Sequence, residues 1–153
     1  IFEIFERDGC KYLKPVSEQG CNEYIDKKEK LVNLMNQKML NREDIGELIG
    51  KNNLEMMKDN HANHVRFMAS IFKNFEPQVL VDTVLWVFRA YRSRKFHSNY
   101  WAAKLSNWIE ILKQELSEPS FAEIYPYYEW MQVNIPIFVK LSTEDLESGK
   151  SMH

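Results

Sequence analysis

The sequence predicts an all-α protein: a single-domain helical bundle or globin-like stack of five to six helices around a buried central helix. Three observations carry this expectation. Apolar residues recur at steps of three and four through most of the chain, and no segment has a convincing strand period. Most of the glycines and prolines, five of each in 153 residues, fall between these periodic segments or at their ends. The connections they leave are short, which forces sequential helices to pack antiparallel.

Residues 1–23 carry Gly9, Pro15 and Gly20 without a sustained period and read as an N-terminal arm or linker, an irregular stretch or a short helix plus loop. From Tyr24 the pattern is helical, with Ile25, Leu31, Val32, Leu34, Met35 and Met39 among polar residues. A short helix follows Asn41-Arg42-Glu43-Asp44, carries Ile45, Leu48 and Ile49, and stops at Gly50. Asn52 or Asn53 opens the next helix. Its stripe of Leu54, Met57, His61, His64/Val65, Met68, Ile71/Phe72 and Phe75 is the clearest periodic signal in the chain.

Pro77 suits the first turn of a further helix, where its missing N–H costs nothing. Val79, Leu80, Val81, Val84, Leu85, Trp86, Val87, Phe88 and Tyr91 surround that helix on nearly every side, so it is expected to be the buried centre. Arg89, Arg92, Arg94 and Lys95 stand near its C-terminal end, where the helix dipole is negative. Ser98 is a candidate N-cap for the next stripe, Trp101, Leu105, Trp108, Ile109, Leu112 and Leu116. After Ser117-Glu118-Pro119 the last stripe runs through Phe121, Ile124, Tyr125, Tyr128 and Met131. Pro126 and Pro136 each remove a backbone donor and kink or break it. The helical domain is thus expected over 24–141, and 142–153 as a frayed polar tail.

Composition bounds the function. The chain is 44% hydrophobic and 27% charged, as folded soluble proteins are, and its formal charge of −2 argues against a nucleic-acid binder. No apolar run reaches bilayer length, so no membrane partner is expected. The start at Ile1 has neither Met nor the apolar core of a signal peptide, which points to a fragment of a longer cytoplasmic product. Cys10 and Cys21 read as two reduced thiols, a disulfide or redox switch between them being the lesser alternative.

Candidate chemistry is sparse. His61 and His64 lie one turn apart on the apolar stripe, the spacing a metal or tetrapyrrole would use, but no further ligand motif accompanies them, so no metal is expected. The stretch from Thr83 to Ile109 lacks acids and interleaves Arg89, Arg92, Arg94, Lys95 and Lys104 with aromatics. Arg92, His97 and Trp101 there are candidates to hold an anionic planar ligand, against the plainer reading of dipole and charge compensation. Tyr125, Tyr127, Tyr128 and Trp130 cannot all share one helix face, and the excess suggests a homodimer contact. No nucleophile motif or phosphate-cradling loop occurs, Glu110 and Glu115 sit on an ordinary amphipathic face, and no catalytic residue is named.

The segments Asn63-His64-Val65-Arg66-Phe67-Met68, Trp86-Val87-Phe88-Arg89-Ala90-Tyr91, Tyr100-Trp101 and Tyr128-Glu129-Trp130-Met131 carry a resemblance. Together, over roughly Leu54 to Leu141, they resemble the helical input domains that precede output domains in prokaryotic signalling proteins, including the non-haem globin-like sensors of stressosome proteins. A fainter similarity is to the helical domains that precede cobalamin-binding domains. The resemblance implies a hydrophobic centre, dimerisation through terminal helices and transmission of a state to an output or partner domain. It carries over no functional residue. Trp130 follows Glu129 with no His before His153, unlike the cobalamin caps, and none of His61, His64 or His97 stands where a haem would want its proximal ligand. The function expected is a non-enzymatic sensory or regulatory module acting through protein contact as a dimer. The alternative is a helical sensor that binds a small molecule or a haem- or corrinoid-like tetrapyrrole through His61, His64, Arg92, His97 and Trp101.

Overall fold

The computed structural model describes residues 13–147, and among them every regular element is a helix. There are eight: α1 (Glu18–Asp26), α2 (Lys28–Leu40), α3 (Ile45–Ile49), α4 (Leu54–Lys73), α5 (Pro77–Ser93), α6 (Asn99–Glu115), α7 (Glu118–Val133) and α8 (Ile135–Glu147). The all-α class holds, with more helices than the five or six expected. The additional ones come from both ends of the chain. The first helix begins at Glu18, ahead of Tyr24, because Ser17 caps it by accepting from the Gly20 N–H at 3.1 Å. Gly20 is needed there: a Cβ would come within 2.7 Å of Glu123 Oε2 and Val16 Cγ1. At the other end the last stripe breaks at Asn134, with Pro136 in the first turn of α8, where its missing donor is tolerated. Ser142, expected to open a frayed tail, is fully buried within α8. Cys10 lies outside the described residues, as do 1–12 and 148–153, and Cys21 is buried with its thiol donating to the Val16 carbonyl.

α2 packs on α4 and α6, α1 on α4 and α7, α6 on α7, and α5 on α8. Leu31, Met35 and Met39 of α2, Met57, Val65, Met68 and Phe72 of α4, and Trp108, Ile111 and Leu112 of α6 form the middle of the core. Ion pairs Lys30–Glu115 (2.8 Å) and Lys38–Glu110 (3.0 Å) tie the outer edges of α2 and α6. Gly50, at φ 79°, ends α3 in a conformation that side chains rarely adopt, and the chain there runs close to the Lys95 carbonyl.

Two expectations about the core are corrected. α5 is not buried all round: Val79 and Trp86 are 46% and 47% exposed. Its inner face of Leu80, Val81, Val84, Leu85 and Phe88 meets α8 and the cavity described below, and the opposite face is uncovered. The tyrosines and tryptophan of α7, by contrast, are nearly all interior. Tyr127, Tyr128 and Trp130 are each at most 7% exposed, and only Tyr125 is half-buried. One helix can hide rings on several faces because α1, α6 and α8 each cover a different side of it. Tyr127 meets Phe72 of α4 and Phe75 of the α4–α5 link, and Trp130 meets Phe138 of α8 edge-on at 5.8 Å.

Candidate functional site

The long α4 stripe turns Asn60, His61 and His64 toward α2, α6 and α7, and these seed an interior hydrogen-bond network. His61 Nδ1 bonds Asn36 Oδ1 at 2.6 Å, which makes Nδ1 the protonated nitrogen and leaves Nε2 with its lone pair, 3.3 Å from the Tyr100 hydroxyl. Tyr100 donates to Asn60 Oδ1 at 2.9 Å. A second chain runs from His64 Nε2 to the Tyr128 hydroxyl (2.9 Å) and on to the Tyr24 hydroxyl (2.8 Å), joining α4, α7 and α1. The His64 ring stacks on Trp108, with centroids 5.1 Å apart and planes 19° from parallel.

Burial sets the protonation of these groups. Desolvation, aided by the charge of Lys104, pushes His61 down to about 3, and the same two causes hold His64 well below the ordinary histidine range. Both rings are neutral at physiological pH. Burial raises Tyr100 and Tyr128 well above the usual tyrosine value.

Beside this network lies a cavity of about 300 Å³, bounded by α4, α5, α6 and α7. Its wall is chiefly apolar: Phe67 and Met68 of α4, Val84, Val87, Phe88 and Tyr91 of α5, Trp101 and Leu105 of α6, and Met131 of α7. Asn63 and Trp86, both exposed, belong to the same lining and mark where it meets the surface. The polar lining comprises Asn60, Asn63, His64, Thr83 and Lys104. Lys104 is the unusual member. It is 4% exposed, and among the described residues its ammonium has neither a hydrogen bond nor an ion pair, only the face of Trp101 with Nζ 4.9 Å from the ring centroid. Desolvation brings its pKa down to about 7. The indole N–H groups of Trp101 and Trp108 are also buried without a hydrogen-bond partner.

The five residues expected to bind a ligand are dispersed. His64 and Trp101 line the cavity. His61 adjoins it through Tyr100, its Nδ1–H donating to Asn36 and its Nε2 lying 3.3 Å from the Tyr100 hydroxyl. Arg92 turns away to fasten α8, donating to the Val139 carbonyl (3.0 Å), Ser142 Oγ (3.2 Å) and Thr143 Oγ1. His97 is exposed in a separate shallow depression with Arg42, Asp44 and Glu47, where its Nδ1 accepts from the Asn99 N–H at the start of α6. Arg92 and His97 therefore do not join the other three in one site. Sequence reasoning counted Lys104 in a basic run and did not single it out. The signal was its position three residues after Trp101 and four before Trp108, on the buried face of α6.

Among the described residues no group of three or more His, Cys, Asp or Glu side chains is placed to hold a metal ion, and no helix is long and apolar enough to cross a membrane. Compared with known protein families, curated proteins and solved structures, the chain matches none.

Proposed function

We propose that the chain is a non-enzymatic, ligand-binding helical module of the sensory or regulatory kind, which holds a small apolar molecule in the cavity between α4, α5, α6 and α7. The observation that carries this reading is an apolar cavity of about 300 Å³ with a buried, unpartnered lysine in its wall. Interiors pack to near-crystalline density, so space of this size is uncommon, and an unpaired buried cation costs free energy that a wall of methionine would not. A mostly apolar, concave site with a few polar groups is the usual form of a small-molecule pocket. The reading through a protein partner draws less support, since the rings of α7 that suggested a dimer face lie inside. A tetrapyrrole draws less as well: His61 Nε2 faces the Tyr100 hydroxyl in the buried network, and Arg92 is occupied by α8.

The test is titration with the neutral, environment-sensitive ten-carbon dye 1-naphthylamine, read by its emission and by quenching of Trp86 and Trp101. Saturable binding of one dye per chain is expected, weakened about tenfold or more by Val87→Trp, which fills the cavity from its half-buried wall. Far-UV circular dichroism verifies that the variant stays folded. Absence of saturable binding, or binding that Val87→Trp leaves unchanged, overturns the reading.

A further inference from the structure

Given that reading of the cavity, we infer that its ligand is an apolar monocarboxylate, held with its carboxylate against the Lys104 ammonium and its body among the rings and aliphatic side chains of α4, α5 and α6. The charge balance of the lining is the first ground. Lys104 is its one cationic side chain, and no Asp or Glu lines the cavity. A carboxylate supplies the missing counter-charge and hydrogen-bond acceptors together, whereas a neutral ligand leaves the lysine buried and unpaired.

The second ground is what the polar lining has left to offer. Asn60 is engaged by Tyr100 and Tyr91, and Asn63 Oδ1 accepts from Arg66, so the Asn63 amide presents N–H to a newcomer. The remaining capacity is thus biased toward donors, which suits an anion. Size gives the third. A cavity of about 150 Å³ holds benzene, so twice that volume fits a body of about ten to twelve carbons. Trp86 and Asn63 at the surface give such a chain its way in.

The ionisable groups around the site make the pairing visible in a pH profile. His61 and His64 of α4 are neutral, Tyr91 of α5 and Tyr100 of α6 are shifted upward, and α7 contributes only Met131 to the lining. Across the neutral range Lys104 is therefore the group of this set that titrates. With its pKa at about 7, the charged share of the lysine falls about twenty-fivefold between pH of about 6.5 and about 8.5.

The experiment compares decanoate with decanol by tryptophan fluorescence and calorimetry on the full chain, in the native protein and in Lys104→Met. The native protein should bind decanoate at least about tenfold more tightly than decanol near neutral pH, lose that preference at higher pH, and lose it in Lys104→Met, where decanoate affinity falls at least about tenfold more than decanol affinity does. Equal binding of the two in the native protein leaves the cavity as a binding site and overturns the carboxylate. A preference for decanoate that survives in Lys104→Met overturns the pairing. Binding of neither overturns both this inference and the proposed function. The pH profile of the native protein decides the matter without a variant, should Lys104→Met fail to fold: a decanoate preference that does not change with pH overturns the role of Lys104.

Discussion

Replacing Lys104 with methionine should stabilise the protein, and by an amount that depends on pH in a set way. Lys104 is 4% exposed and unpaired, and burial lowers its pKa from 10.5 to about 7. The folded state binds the proton less well than the unfolded chain does, so charge on this residue opposes folding, and the opposition is relieved as pH rises. Below pH 7 both states are charged and the whole difference applies, about 5 kcal/mol at about 1.4 kcal/mol per unit. At a pH of about 9 the folded lysine is neutral and only the cost of deprotonating the unfolded one remains, about 2 kcal/mol. Methionine keeps the unbranched stem and most of the volume but carries no charge. Urea melts of native and Lys104→Met protein at both pH values should give a stabilisation of several kcal/mol at a pH of about 6 that shrinks by about 2–3 kcal/mol at about 9. A difference between the two proteins that is flat with pH, or a variant less stable at the acid value, would refute the claim that an unpaired cation is buried there.

His61 gives a slope of the same sign in a more acid window. Its folded-state pKa, depressed from 6.5 to about 3, means that the stability held by the neutral ring is complete above 6.5 and is lost as pH falls toward 3, so His61→Gln should lessen the acid-side pH dependence by about 1.4 kcal/mol per unit. Unchanged slopes in urea melts through that window would contradict it. Arg92→Met removes the donor that reaches the Val139 carbonyl, Ser142 and Thr143, and should cost about 1.5–3 kcal/mol while speeding amide exchange in α8 more than in α4. Exchange in α8 that is as slow as before would show that apolar packing on α5 alone holds it.

The helical class was legible because most stripes have one apolar face. In α4 most of the residues picked out by period, Met57, His61, Val65, Met68, Ile71 and Phe72, are buried, whereas Leu54 at its start is exposed and Asn60, off the stripe, is buried. α5 defeated the same method. With apolar residues on all sides, period cannot say which face meets a neighbour, and the choice is made by α8, whose pairing to α5 the prolines and polar residues near Ser142 concealed. α7 failed in the converse way: its rings exceed any one face, and three covering helices accept them. At the site, His64 and Trp101 could be found because they belong to stripes. Arg92 and His97 stand close in sequence, yet one faces α8 and the other solvent, since the chain reverses between α5 and α6 at Lys95, φ 77°. Lys104 was counted only as a member of a basic run, since a lysine on a helix ordinarily reaches water along its stem. Whether it can do so depends on where α4 and α5 lie.

The interior polar groups fall into two kinds, and the contrast bears on what the cavity is for. Asn36 with His61, Tyr100 with Asn60, and Tyr24 with Tyr128 and His64 answer one another at 2.6–2.9 Å, and such closed sets fix the relative placement of α1, α2, α4, α6 and α7. Lys104 has no such answer. If its part were only to hold the fold together, an apolar residue would do so at lower cost, and the empty volume beside it would be filled by a larger neighbour. The cost and the space coincide at one wall of one cavity, where they reinforce each other: the volume admits a ligand, and the uncompensated charge makes an acidic one favourable. A complex in which the ligand restores the charge balance would thus be more stable than the free protein by more than its apolar contacts supply. That surplus is what the decanoate–decanol comparison reads.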